Sequence, residues 1–147
     1  MDARQTSLAT PLLNTLIEYV YEAIRTTPLC EHVAERAARV LHPFLGAPGL
    51  LTPSQCQPGR DEPRQHVLYV APDERFSVAT LVILPGQETP IHDHPAWCVS
   101  GVHQGEEHEI HYRLLNVDGA VWLAPLAGGR RSVGGTVRGT GTARSQR

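Results

Sequence analysis

Lysine is absent: all 13 basic residues are arginine, set against 15 acids for a formal charge of −2. So even a balance does not announce nucleic acid as the main partner. Cysteine is scarce and odd in number, and Cys30, Cys56 and Cys98 are widely spaced. That spacing gives neither a disulfide framework nor a zinc pattern, and it fits a reducing cytoplasm. No run approaches the ~18 apolar residues of a membrane span, so no membrane partner is expected. The first residues lack a basic stretch leading into an apolar one, so a secretory leader is not expected either. What is present is 147 residues, 41% hydrophobic and 19% charged, enough apolar side chain for one packed domain.

The even charge hides a split. Residues 128–147 hold five arginines, six glycines and no acid, which leaves residues 1–127 strongly acidic. Two valines are the only sizeable apolar groups of that last stretch, too few to offset the entropy of ordering it. We therefore expect a single domain over 1–127 and a Gly/Arg-rich mobile tail over 128–147. With no aromatic side chain interleaved to stack on bases, the tail is not expected to bind nucleic acid.

Two helices open the domain. Thr10-Pro11 supplies an N-cap and a proline at the first helical position, and Leu12, Leu13, Leu16, Ile17, Val20 and Ile24 then recur at helical spacing. Thr27-Pro28 repeats the start signal, and Val33, Ala37, Val40, Leu41 and Phe44 continue an apolar stripe until Gly46 and Pro48 end it. From residue 66 the period changes to two. Strands are expected at 66–70, 75–84, 89–94, 97–103, 109–115 and 120–126, with turns at Pro72-Asp73, Pro85-Gly86, Gln104-Gly105 and Asp118-Gly119. Short, regularly spaced strands after two helices predict an α+β fold in which an antiparallel β-barrel or jelly roll carries the helices on one outer face.

The segment with chemical content is GQETPIHDHPAWCVSGVHQG, residues 86–105. On a strand, His92 and His94 would share a face and Asp93 would point the other way, giving two imidazoles for a metal. Gly86, five residues, His-x-His and Gly105 eleven residues further on resemble the first cupin motif. Cys98 stands where that motif usually has glutamate. With TPIHDH and Trp97 beside it, the segment looks like the thiol dioxygenases, the cysteine dioxygenase family, and VSGVHQGEEHEIHYRL and HVLYVAPDERFSVATLVILPGQ look like its bacterial members.

The resemblance covers roughly residues 60–126 and implies several things. The barrel is a cupin, complete or cut short at its C-terminal edge. His92 and His94 are iron(II) ligands within a set of three neutral histidines. A small thiol carboxylate, cysteine or 3-mercaptopropionate, takes both atoms of O2 onto its sulfur and becomes a sulfinate. Gln65 is the substrate-reading position, which favours 3-mercaptopropionate; Arg64 there instead would favour cysteine, and one residue of slip exchanges their faces. Cys98 occupies the place of a crosslinking cysteine in animal relatives, although a buried inert thiol is the preferred reading. Trp97 reads as a core or wall aromatic.

The third histidine of such a site is missing. It should fall in a Pro-Gly-x-x-His-like motif forty to fifty residues beyond the first, but the chain has no histidine after His111. Gly119 and Pro125 mimic the opening of that motif, and its ligand place falls near Arg130, which cannot ligate a metal. His103, His108 and His111 are the possible substitutes, while Glu106, Glu107 and Glu109 read as solvated charges. The sequence therefore looks like a dioxygenase whose end is lost, truncated or shifted in frame. The competing reading is a non-catalytic cupin remnant that binds metal weakly or acts through subunit contacts.

Overall fold

A computed structural model describes residues 9–27, 30–94, 96–135 and 137–140. Helix α1 is Pro11–Arg25. Its cap forms as the sequence predicts, with the Leu13 N–H donating to Thr10 Oγ1 at 3.0 Å and proline in the first turn. The Thr10 hydroxyl also donates to the Leu50 carbonyl at 2.8 Å, tying the cap to the following loop. Helix α2 is Cys30–Leu41; Pro28 of the second start signal lies outside the described residues. Leu13, Leu16, Ile17 and Val20 of α1 form the core with Phe44, Leu50, Leu68, Ala71 and Phe76, and Trp97 packs against it as expected of a wall aromatic.

Eight strands follow: β1 Arg64–Val70, β2 Ser77–Val82, β3 Cys98–Gly101, β4 Glu106–Glu109, β5 Tyr112–Val117, β6 Ala120–Pro125, β7 Arg130–Val133 and β8 Val137–Thr140. They pair as β1–β2, β3–β8, β4–β7 and β5–β6, all antiparallel, and no sheet among the described residues closes on itself. The fold is α+β, as the change of period predicts. In β1–β2 a register shift between Val67 and Tyr69 leaves Leu68 unopposed. Leu68 is 1% exposed and enters the core through this bulge.

The other three pairs are segments of one long ribbon. Cys98 lies opposite Thr140, Glu106 opposite Val133 and Val117 opposite Ala120, so the register is nearly constant from end to end. At the closed tip Asp118 (φ 51°) and Gly119 (φ 78°) are both left-handed, the two-residue turn that matches strand twist. At the base α2 lies against β3 and β8. There Gly101 is needed for close approach, because a Cβ would stand 2.5 Å from Leu45 Cδ1.

Two expectations are corrected. Residues 128–147 do not begin as a mobile tail: Arg130–Val133 and Val137–Thr140 are the returning arm of the ribbon. Counting apolar side chains missed this because the arm is held by the backbone ladder, by buried Ser132 and by an Arg131–Glu106 ion pair. Residues 136 and 141–147 of that stretch lie outside the described ones. Second, residues 89–94 form no strand. Pro90 sits inside this run, with Pro85 and Pro95 flanking it in the sequence, and proline has no N–H to give to a ladder.

Candidate functional site

The loop between β2 and β3 carries both predicted metal ligands. His92 and His94 come together with ring centroids 4.9 Å apart and planes nearly perpendicular. They do so without a strand, on an exposed loop. A carbonyl oxygen can only accept, so the 2.7 Å contact between His92 Nδ1 and Pro90 O makes Nδ1 the protonated nitrogen. In the neutral ring this leaves the lone pair on Nε2, a tautomer that can ligate a metal through that nitrogen. Between the two histidines in sequence, Asp93 folds back on the backbone, its carboxylate accepting the His94 N–H at 2.8 Å.

No candidate third ligand joins them among the described residues. Among the described residues there is no group of three or more His, Cys, Asp or Glu side chains able to hold a metal. His103 is half-buried, and its Nδ1 accepts the Gly46 N–H at 3.0 Å, which fastens the β3–β4 turn to the loop after α2. His111 lies on the ribbon with Nε2 3.6 Å from Glu109 Oε2. His108 lies opposite Arg131 on β4–β7, and Arg130 lies opposite Glu109. These positions belong to the ribbon, whereas the histidine pair belongs to the loop before it.

Gln65 and Arg64 take opposite faces of β1–β2, as the slip argument requires. Gln65 is opposite Leu81 and shares its face with Val67 and Ala79. That face is open: Val67 is 42% and Leu81 51% exposed. Arg64 shares the other face with His66 and Thr80. There the His66 Nε2–H donates to Gln57 O and the Thr80 hydroxyl to Gln55 O, each at 2.8 Å. The preceding loop bonds to this second face at His66 and Thr80, while the Gln65 and Arg64 side chains, on opposite faces, are both exposed.

The Cys98 thiol is half-buried at the start of β3, and burial pushes its pKa up, which disfavours the thiolate. On the ribbon, the Glu106 carboxyl is held below its usual range by the Arg131 guanidinium that donates to it. Glu106 is therefore exposed but paired, not merely solvated. A groove of ≈ 370 Å³ between α1 and α2, lined by Tyr19, Glu22, Arg36 and Arg39 among others, lies on the helices and not at the histidines. No helix among the described residues is long and apolar enough to cross a membrane. No protein-family model matches the chain.

Proposed function

We propose that the chain is a thiol-dioxygenase-like protein of the cupin type that binds iron(II) through His92 and His94, and that the non-catalytic reading fits it better than the enzymatic one. The observation that carries this is the His92 Nδ1–H···O=C Pro90 bond, which holds one imidazole by Nδ1 and keeps Nε2 for a ligand, with the His94 ring 4.9 Å away. Imidazole donors suit iron and the later divalent metals. The described residues do not supply the three-histidine set of the resemblance. Two ligands on an exposed loop leave the other coordination positions to water, and among the described residues no further side chain joins them to fix a thiol against oxygen. Oxidation of cysteine or 3-mercaptopropionate, with Gln65 facing the substrate, is the second reading. The accessible face on which Gln65 lies favours it.

Anaerobic titration of the full chain with iron(II), with cobalt(II) as a coloured probe, tests the proposal. Weak binding lost in both His92→Ala and His94→Ala is the expected result, together with oxygen uptake on either thiol no faster than for His92→Ala. No binding, or binding indifferent to both substitutions, overturns the metal pair. Thiol-dependent uptake abolished by either histidine variant transfers the conclusion to the enzyme, and loss of that uptake in Gln65→Ala but not Arg64→Ala assigns the substrate contact.

A further inference from the structure

The tip of the ribbon is the least satisfied part of the fold. Tyr112, Leu114, Val117, Val121, Trp122 and Leu123 are each between 37% and 66% exposed. Cross-strand pairing places Tyr112, Leu114, Val121 and Leu123 on one face and Val117 and Trp122 on the other, so the hairpin is apolar on both sides. Yet β5 and β6 pair only with each other among the described residues, and a lone two-stranded hairpin is marginal in water.

The backbone says which edge is ready. Leu126 donates its N–H to His111 O at 2.8 Å, so residues 111 and 126 form a hydrogen-bonded pair. Alternation along the ladder makes Arg113/Ala124, Leu115/Trp122 and Val117/Ala120 pairs of the same kind. Val121 and Leu123 therefore turn their N–H and C=O groups away from β5. On this edge the usual guards are missing. Residues 120–125, AVWLAP, carry no charge and meet a proline only at their end, whereas β5 carries Arg113.

We propose that β6 pairs antiparallel with β6 of a second copy of this chain, making a four-stranded sheet across a two-fold axis at Trp122. Val121 of each copy then exchanges backbone hydrogen bonds with Leu123 of the other. The two tryptophans sit opposite one another on one face. A second copy suits the edge because an antiparallel strand is complementary to itself, and no charge is brought against a like charge at the seam. The contact is isologous and closes at two chains.

Sedimentation equilibrium of the full chain across micromolar concentrations tests this. The wild type should show twice the mass of one chain. Val121→Pro removes one outward N–H while keeping an apolar side chain and the β5–β6 ladder, and should associate at least 100-fold more weakly; Val121→Ala, which keeps the N–H, should remain dimeric. If circular dichroism shows Val121→Pro to be misfolded, Leu123→Lys places a charge on the same edge and should give the monomer. A wild type monomeric at every concentration, assembly beyond two chains, or association unchanged in a folded edge variant overturns the proposal.

Discussion

His92 offers one ring nitrogen outward because a carbonyl occupies the other, and this decides what kind of metal site the loop can be. If the proposed pair binds metal, with no third ligand among the described residues, it would not select by geometry. Its affinities should follow the intrinsic order of divalent metals, iron(II) weaker than cobalt(II), then nickel(II), then copper(II). Competition titrations of the full chain check this, and iron(II) held more tightly than nickel(II) would mean that an organised ligand set exists. Thr10 shows the same logic in a structural role, since its one hydroxyl accepts from Leu13 and donates to Leu50. Thr10→Ala leaves both backbone groups without that partner and should cost about 1–2 kcal/mol in urea unfolding. Thr10→Ser should recover most of the loss.

At the scale of elements, the ribbon joins an acidic outgoing arm to an arginine-rich return, and Glu106–Arg131 is one ion pair that links them. Because Arg131 lowers the Glu106 pKa, the contact contributes above the ordinary carboxylate range and fades as pH falls through the lowered value. Wild type should therefore melt slightly above Glu106→Gln near neutrality, and the gap should close in acid and shrink with added salt, because the pair is exposed. A gap independent of pH would assign the effect to something other than charge. Much of this architecture was legible in the sequence. Thr10-Pro11 marked α1, and Asp118-Gly119 marked the turn that sets the register of the ribbon. The return arm was not, because a ladder of backbone hydrogen bonds needs no apolar side chains, and the pairing of Arg131 with a residue 25 positions away leaves no local periodicity. The histidine pair was legible as a pair but not as a strand, since alternation counts side chains and Pro90 acts on the backbone.

The molecule as a whole divides its stability unevenly. Leu13, Leu16, Ile17 and Val20 on α1 share one core with Leu68, Ala71 and Phe76 around β1, while the ribbon tip keeps most of its large side chains in water. Opening α1 exposes that core and should need most of the global unfolding free energy; opening the tip breaks one hairpin ladder and should need much less. Hydrogen exchange should accordingly rank the amides in the middle of α1 as slow and those of the tip as fast. Within the tip a second ordering follows from the ladder. The Trp122 and Ala124 amides face β5 and exchange by hairpin opening, whereas those of Val121 and Leu123 face outward and exchange freely in a single chain. Pairing of β6 with a second copy would engage these outward amides directly and restrain the hairpin that carries them. Raising the protein concentration should then slow Val121 and Leu123 most, Trp122 and Ala124 less, and the α1 amides only where dimerisation raises global stability. Protection at Val121 that does not change with concentration would show that its N–H is satisfied within one chain, and the tip would then owe its order to a contact inside the monomer.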